Sequence, residues 1–308
     1  MSTSYLSWAW IPIVVWAAFA QTVRNATQRT LVAEVGTLAA TLVRFLYGLP
    51  FALIWLGLLY LLPQAPRTTP DFTVSYFAWI TLGAVAQIGA TAFLLAAMKE
   101  RNFIIAVIYS KTEVLQIALF AAVFLHEFPT GLAVGAMVLA TLGVMLLSVR
   151  SSPPLAGAAP AWLSRTALFG LACGACFGVS IVGFRGAALA LPDTSFWLTG
   201  AWGVVWAQTV QTVLLGGWLA WRAPASLGAV MRAWKLSLLA GLMGALASIG
   251  WFTAFALQPA ANVRTLGLVE VLFSYLVSRR LFSEKLSRSE TVGLLLVTIG
   301  LVVVCAGL

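Results

Sequence analysis

The chain has 308 residues, of which 61% are hydrophobic and only 9% are charged, and its mean hydropathy is +0.98. A soluble domain carries about 25% charged residues, so this composition excludes a water-facing surface and predicts a polytopic membrane protein surrounded by lipids. The net charge of +9 does not indicate a nucleic-acid partner, because the basic residues stand singly between apolar runs. In that setting they are expected to mark the lipid headgroups.

Apolar runs long enough to cross a bilayer occur ten times along the chain. A spanning helix needs about 20 predominantly apolar residues. The N-terminus lacks the basic region of a cleavable signal peptide, so the first run is expected to remain as a transmembrane helix. The predicted spans are 5–25, 36–61, 72–97, 102–125, 130–149, 166–189, 195–220, 233–257, 261–282 and 289–307.

A Pro/Ala/Gly-rich linker divides these spans into two sets of five. Residues 151–165 form the linker, which follows a predicted first five-helix repeat at 1–150 and precedes a second at 166–308. An odd number of spans in each repeat places the two halves in opposite orientations. We therefore predict an all-α membrane protein built as an inverted repeat, an architecture in which secondary transporters place the substrate near the bilayer midplane.

The repeat is clearest where 111–147 aligns with 268–304 without a gap. This register places Glu113 opposite Glu270 and Glu127 opposite Glu284. Apolar matches carry little weight in such a chain, but only nine acids exist and four of them fall into register. The halves also correspond elsewhere, with Trp16 opposite Phe177, Arg24 opposite Arg185 and Gly83 opposite Gly241.

Six charged residues lie deep within predicted spans. A charge at the bilayer centre costs about 2.5–3.5 kcal/mol on insertion scales, so each is a hypothesis for a functional site. Glu127 and Glu284 lie fourteen residues, about 21 Å of helix, beyond their deeper counterparts and are expected to be structural residues at helix ends. The deep residues are Arg44, Lys111, Glu113, Arg185, Arg264 and Glu270.

Lys111 and Glu113 are two residues apart and point to different sides of a helix, so each requires a partner on another helix. Across a pseudo-two-fold axis, Lys111 is expected to reach Glu270, and Arg264 to reach Glu113. Two interpretations stay open. The ion pairs either fix helix register only, or they line a central cavity. In that cavity the two glutamates couple transport to protons or contact a substrate amine, while Lys111, Arg44 and Arg264 contact a carboxylate or hold the glutamates charged.

Other polar and aromatic residues at helix depth are candidates for the lining of the same cavity. Gly170, Gly174 and Gly178 follow a small-residue pattern that permits close helix packing. The polar candidates are Gln21, Gln87, Tyr109, Gln208, Gln211 and Asn262, with Trp16 and Trp251 as apolar walls.

Catalytic and metal-binding patterns are missing from the sequence. Cys173 and Cys176 have CxxC spacing, but no second pair follows and His126 is the single histidine, so we expect a structural pair and no metal. No phosphate-binding Gly-Lys-Ser/Thr loop is present, which excludes ATP-driven pumping by this chain alone. We therefore expect neither an enzyme nor a cofactor.

These features resemble the drug/metabolite transporter superfamily, in its ten-helix EamA type. The matching motifs are Val14–Trp16 followed by Arg24, and Arg44 with Phe45 opening the second helix. The strongest is an acid followed, fourteen residues on, by a glutamate in the fourth and ninth spans. In the family a proline usually follows that acid, where this chain has Val114 and Val271.

The resemblance implies export or exchange of small metabolites, amino acids or drugs, driven by ion or solute gradients. We predict a secondary active transporter of a small polar or zwitterionic metabolite, such as an amino acid or a related organic anion, that works by alternating access. Protons or a counter-solute are the expected further partners. Two alternatives stay open: a flippase or scramblase of lipids or lipid carriers, and a membrane assembly subunit that transports nothing.

The orientation in the membrane follows from the Lys/Arg bias. One side of the predicted topology holds nearly all basic residues, and Arg67 is the clear exception. The positive-inside rule makes the crowded side cytoplasmic and places both termini outside the cytoplasm of a bacterial inner membrane. The resemblance implies the opposite orientation, with both termini in the cytoplasm.

Overall fold

The computed structural model describes residues 8–62, 69–98, 106, 109–149, 165–273 and 288–307, and every regular element in these ranges is a helix. The prediction of a helical membrane protein is confirmed at that level, because five of these helices are long and apolar enough to cross a membrane. They are Thr37–Tyr60, Val74–Leu94, Arg165–Leu189, Trp234–Leu257 and Ser289–Ala306, and two shorter apolar helices are Glu113–Leu125 and Gly131–Leu147. A turn at Tyr47 divides the first of these spans into two helices, which are numbered separately below. The ten spans and the inverted repeat stay predictions.

The helices are numbered here in chain order. They are α1 Trp10–Val35, α2 Thr37–Leu46, α3 Gly48–Tyr60, α4 Val74–Met98, α5 Glu113–Leu125, α6 Gly131–Val149, α7 Arg165–Leu189, α8 Phe196–Arg222, α9 Pro224–Arg232, α10 Trp234–Leu257, α11 Ala260–Gly267 and α12 Arg288–Ala306. The short helix α9 lies where the sequence predicted a connection.

Helix α1 continues about ten residues beyond the end of the first predicted span, at residue 25. In its polar C-terminal half the hydroxyl of Thr27 donates to the Val23 carbonyl at 3.1 Å, so this polar group is satisfied within the helix. Leu31 and Val35 then bury themselves in an apolar cluster with residues of α2, α9 and α10. The helix ends at Gly36, whose φ of 82° is a conformation that glycine adopts without strain.

The helices group into two compact units, and each unit draws on both halves of the sequence. Unit 1 comprises Met1–Val85 and Gly183–Gln258, and unit 2 comprises Ala86–Val182 and Pro259–Leu308. Helices α4 and α7 contribute to both units. The units describe packing, whereas the division at 151–165 describes a sequence repeat, which stays a prediction.

Small residues allow the helices of unit 1 to approach closely. A Cβ added at Gly250 of α10 would lie 2.8 Å from the Cβ of Ala17 on α1. A Cβ added at Gly200 of α8 would lie 2.8 Å from the backbone nitrogen of Thr253, less than one turn further along α10. Backbones brought together by glycine gain the van der Waals contact that drives helix association in a membrane.

In unit 2, helix α6 packs along α12 in the antiparallel direction. A Cβ at Gly143 would lie 2.7 Å from the Gly293 carbonyl, and one at Gly300 would lie 2.8 Å from the Ala136 carbonyl. Residue numbers thus rise along α6 as they fall along α12. The two backbones touch at both contacts, so glycine is required at each.

Two helical segments of unit 2 are interrupted close to a glutamate. One interruption directly precedes Glu113, and the other lies two residues before Glu270. Lys111 and Thr112 form a turn before α5 begins at Glu113, and a turn at Leu268 separates α11 from helical residues 269–273. Backbone hydrogen bonds from residue i to residue i−3, as in a 3₁₀ turn, form both interruptions. Thr112 N–H donates to the Tyr109 carbonyl at 3.2 Å, and Leu268 N–H donates to the Thr265 carbonyl at 3.1 Å. Neither interruption needs the proline usual in the resembled family.

Candidate functional site

Glu113 and Arg264 form the tighter of the two ion pairs at the candidate site in unit 2. Nη2 of Arg264 donates to Oε1 of Glu113, and the two side chains are only 13% and 9% exposed, respectively. Glu113 is the first residue of α5, and Arg264 lies in the last turn of α11. A helix dipole favours an acid at its N-terminus and a base at its C-terminus, so each charge is stabilised by its own helix as well as by its partner.

Lys111 and Glu270 form a looser pair beside the first one. Nζ of Lys111 lies 4.0 Å from Oε1 of Glu270, and these side chains are 27% and 16% exposed. Glu270 also attracts the guanidinium of Arg264 electrostatically. Both contacts that the sequence predicted are therefore present, and their four charges belong to one network.

The interrupted segment before α5 rests on the glycine stripe of α7. A side chain at Gly170 would overlap the carbonyl of Ala106, and a Cβ at Gly174 would lie 3.1 Å from the Ser110 carbonyl. One turn further, a Cβ at Gly178 would lie 3.0 Å from the ring of Phe120. The stripe permits the close packing that the sequence predicted, and its partner is the segment that carries Glu113.

Tyr109, another predicted lining residue, belongs to the same turn. Its side chain is half-buried, and its carbonyl accepts from Oγ1 of Thr112 at 2.7 Å. Thr112 Oγ1 in turn accepts from Nε2 of Gln116 at 2.8 Å. These bonds hold the interruption in place with side chains, which is how irregular backbone is satisfied away from water.

A second polar cluster lies in unit 1, between α1, α2 and α10. Nε1 of Trp251 donates to Oε1 of Gln21 at 3.0 Å, which brings together two predicted lining residues. Arg24, one turn beyond Gln21, is 7% exposed. The first predicted span, 5–25, puts Arg24 at its end, but Arg24 lies in the middle of the longer α1 and is buried. Its alignment with the deep Arg185 was the signal for this position.

Arg44, predicted to contact a carboxylate, belongs to the same cluster. A Cβ added at Gly244 of α10 would lie 3.6 Å from Cγ of Arg44 and 3.4 Å from Cδ of Arg24. The guanidinium carbon of Arg44 lies 4.7 Å from the centre of the Phe45 ring. Arg44 is therefore found with Arg24 in unit 1, whereas Lys111 and Arg264 are found with the glutamates in unit 2.

Arg185 is buried in unit 1, where its Nη1 donates to the Phe255 carbonyl at 2.5 Å. That carbonyl lies in the last turn of α10, and the residue four positions on is Pro259, which has no N–H to offer it. Arg185 supplies the missing donor. Its contact with α10 is that of a structural residue.

The remaining predicted residues are distributed over both units. Trp16 is 49% exposed and packs on the exposed Phe19. It lies on a different face of α1 from Gln21, and its exposure is typical of a lipid-facing residue. Gln87 is half-buried in α4. In unit 1, Gln211 is buried and donates to the Ala84 carbonyl at 3.5 Å, and the buried Gln208 amide packs on Gly48 of α3.

Asn262 lines a cavity of about 250 Å³ in unit 2. Glu127 also lines it, two residues beyond the end of α5, so its predicted place at a helix end is confirmed. The helix ends where His126 adopts a left-handed conformation with a φ of 57°. Its counterpart Glu284 lies outside the described residues. The other lining residues include Phe128, Thr130, Pro259 and Val303.

The cysteines form no cross-link in this structure. Cys173, Cys176 and Cys305 are free thiols. Within the described ranges, no three His, Cys, Asp or Glu side chains are grouped closely enough to hold a metal ion.

No protein-family model and no curated protein matches the chain. Its fold is similar to that of a solved structure described only as "Crystal structure of protein", with a TM-score of 0.67 and 17% identity. The match covers 98% of this chain and 95% of that chain. At this identity the likeness is one of fold. The apolar helices indicate an α-helical membrane protein, and the likeness shows that its fold occurs in a solved structure.

Proposed function

We propose that the protein is a secondary active transporter, an exporter or exchanger of a small polar or zwitterionic metabolite, of the ten-helix drug/metabolite transporter type. The charge network of Lys111, Glu113, Arg264 and Glu270 carries the proposal, because its members flank two interrupted helices. Secondary transporters use discontinuous helices to bring charged helix ends to a substrate within the bilayer. Irregular backbone at such depth is tolerated where it is buried in protein or lines a cavity.

The packing of unit 2 supports an inverted repeat. The register that carries Glu113 onto Glu270 also carries Gly143 onto Gly300 and Ala136 onto Gly293. The contact between Gly143 and Gly293 thereby becomes the contact between Gly300 and Ala136, and both contacts are present. Such an exchange is the property of a two-fold axis. An antiparallel pair formed by the last helix of each repeat is what opposite orientations require.

The two ion pairs differ in a way that suits alternating access. The Glu113–Arg264 pair is short and well buried, whereas the Lys111–Glu270 pair is longer and more exposed. Opening a buried pair is costly unless new partners replace the old ones; removing one partner costs about 3–5 kcal/mol. A zwitterion supplies one group of each sign and can replace both partners at once. A proton on a glutamate replaces one partner, which makes protons a suitable coupling ion.

The experiment uses Glu113→Gln and Glu270→Gln variants in liposomes. A thermal-stability screen of amino acids, nucleosides, amines and organic anions first identifies solutes that bind, and a flux assay of the wild-type protein in liposomes then selects one that it transports. In each variant the initial flux of that solute is expected to fall at least tenfold, because an amide cannot replace the charge of the glutamate. Each variant should still elute as a folded protein in size-exclusion chromatography. Glu34→Gln, at an exposed position of α1, is the matched control and should retain the wild-type flux.

Wild-type flux in both glutamate variants would reduce these residues to structural ion pairs and remove the basis of the proposal. Movement of labelled lipids without flux of any solute would favour the flippase alternative instead.

A further inference from the structure

The cavity lined by Glu127 and Asn262 lies where four helix ends of unit 2 meet. The ends of α5 and α12 and the beginnings of α6 and α11 supply its lining residues. Glu113 and its ionic partners are not part of the lining, and Glu113 begins α5, whereas the cavity lies at the other end of that helix. Helix α5 has 13 residues, about 20 Å of helix, so the cavity is a place separate from the ion pairs.

Hydrogen bonds at the helix ends define the wall of the cavity. The N–H groups of His126 and Glu127 both donate to the carbonyl of Ala121, which folds the chain back where α5 ends. Oγ1 of Thr130 accepts from the Ala133 N–H at 3.2 Å and caps the beginning of α6. Four of these five residues line the cavity, all except His126. The wall is therefore built by the protein itself, without a contribution from a ligand.

The position and the size of the cavity suit a small solute that arrives from water. Phe128, Thr130 and Gly307 line the cavity and are exposed, so it opens at the surface of unit 2. The apolar helices α6 and α12 begin and end beside it, and a spanning helix ends where the hydrocarbon core ends. One water molecule occupies about 30 Å³ of the liquid, so a volume of about 250 Å³ equals about eight waters.

The polar side chains of the lining offer mainly hydrogen-bond acceptors. A glutamate side chain has about four lone-pair sites, so Glu127 accepts from a ligand in addition to any partner within the protein. Asn262 adds an amide that both accepts and donates, and its side chain, like that of Glu127, is half-buried. Pro129 and Pro259 bring apolar rings and no N–H. The lining therefore favours a ligand that supplies the donors.

We infer that this cavity is a binding site for a small water-soluble solute that carries an N–H donor group, an amine or an amide, on a short apolar chain. The apolar part of such a solute would contact the proline rings and Val303. A mostly apolar wall with a few polar groups is typical of small-molecule sites. Transport of the bound solute rests on the proposed function; the binding itself does not.

The test compares three probes of equal length with the purified full-length protein in detergent and phosphate buffer. They are butylamine, butyramide and butyrate, and saturation-transfer NMR reports their saturable binding. The amine and the amide are expected to bind the wild-type protein at least tenfold more tightly than butyrate, which has no N–H. Equal affinity for all three probes, or no saturable binding of the amine and the amide, would overturn the inference.

Variants of the lining locate the bound probe. Ala133→Leu fills the cavity and should weaken binding of the amine and the amide at least tenfold. Ala306→Leu is the matched control, because it makes the same change at an exposed position at the end of α12 and should bind as the wild type does. Glu127→Gln and Asn262→Ala each remove an acceptor and should weaken binding at least threefold, whereas Glu34→Gln should not.

Misfolding is recognised from the thermal midpoint of the ligand-free protein. Filling a cavity removes no contact, so Ala133→Leu is expected to unfold at or above the wild-type temperature. If its midpoint falls, the decision passes to Glu127→Gln and Asn262→Ala, which add no bulk. Wild-type affinity in both of these variants, or in a stably folded Ala133→Leu, overturns the assignment of the site.

A second arm separates a soluble solute from the amine of a lipid headgroup. Binding of butylamine is repeated in nanodiscs of phosphatidylcholine, and again with phosphatidylethanolamine added. Equal affinities support a site for a soluble solute; competition by phosphatidylethanolamine would assign the cavity to a headgroup and overturn the solute assignment.

This inference and the proposed function fail separately. Wild-type flux in the Glu113→Gln and Glu270→Gln variants would remove the basis of the transporter proposal and leave binding of the amine intact. Absence of binding in the cavity would leave the effect of Glu113→Gln on flux intact, because Glu113 lies at the opposite end of α5.

Discussion

At the scale of single residues, Arg185 shows how a buried charge completes a helix end. Pro259 deprives the Phe255 carbonyl of its backbone donor, and the guanidinium of Arg185 replaces that donor at 2.5 Å. The sequence placed Arg185 and Arg264 together as deep charges. Depth alone cannot separate a charge that caps a backbone from one that faces another charge, because the distinction depends on which helix lies opposite.

Replacing Arg185 by methionine removes the donor and leaves a buried carbonyl. We expect a loss of about 1.5–3 kcal/mol in the free energy of unfolding, since the lost bond involves a charged group. A lower thermal midpoint of the purified protein would report it. Arg222→Met, which removes an exposed arginine of unit 1, is the control and should change stability by less than about 0.5 kcal/mol. Wild-type stability combined with lost solute flux would make Arg185 a binding residue instead.

At the scale of elements, the fourth predicted span shows what hydrophobic periodicity cannot reveal. The sequence predicted one helix over 102–125, but a turn at Lys111 and Thr112 precedes α5. With Val114 in place of the family's proline, no residue type marks the turn, and apolar periodicity is unchanged across it. The interruption instead depends on tertiary contacts, namely on the surface that Gly170 and Gly174 of α7 provide. The glycine pattern was visible in the sequence; the segment it contacts was not.

Gly170→Ala tests that dependence. The added Cβ would overlap the Ala106 carbonyl, so the backbone must shift, at an expected cost of about 1–3 kcal/mol in unfolding free energy. Solute flux should fall as well, because the displaced segment carries Lys111 and Glu113. Gly135→Ala is the matched control: it lies within α6 of the same unit, and no atom lies within 4 Å of its added Cβ. Helix propensity favours that change by about 1 kcal/mol, so Gly135→Ala should be neutral or stabilising. Equal stability of the Gly170→Ala and Gly135→Ala variants would contradict the dependence of the segment before α5 on the glycine stripe of α7.

At the scale of the whole molecule, the rare charges were more informative than the abundant apolar residues. Composition predicted the class, and the register of the acids predicted the contact of Arg264 with Glu113. The compact units were not predictable in this way, because each combines helices from both halves, and apolar faces do not name their partners. The burial of Arg24 was not predicted for a related reason. A polar stretch that follows an apolar run is typical of a helix end at the membrane surface, but this stretch continues as helix and packs against α2 and α10.

The antiparallel packing of α6 and α12 leads to a prediction about topology. Thr130 precedes α6 and Gly307 follows α12, so both are expected on the same side of the membrane, with Ser289, near the start of α12, on the other. The three native cysteines are first replaced by serine or alanine. Thr130→Cys, Gly307→Cys and Ser289→Cys are then labelled with a membrane-impermeant maleimide in right-side-out and in inverted vesicles.

The first two variants should react in the same vesicle type, and Ser289→Cys in the other. The charge bias further predicts that Thr130→Cys and Gly307→Cys react from outside the cytoplasm, whereas the resembled family implies reaction from the cytoplasm. The side that reacts therefore decides the orientation. Reaction of Thr130→Cys and Gly307→Cys from opposite sides would contradict an antiparallel pair that spans the bilayer, and with it the inverted repeat, because the two-fold exchange of Gly143 with Gly300 requires these helices to run in opposite directions.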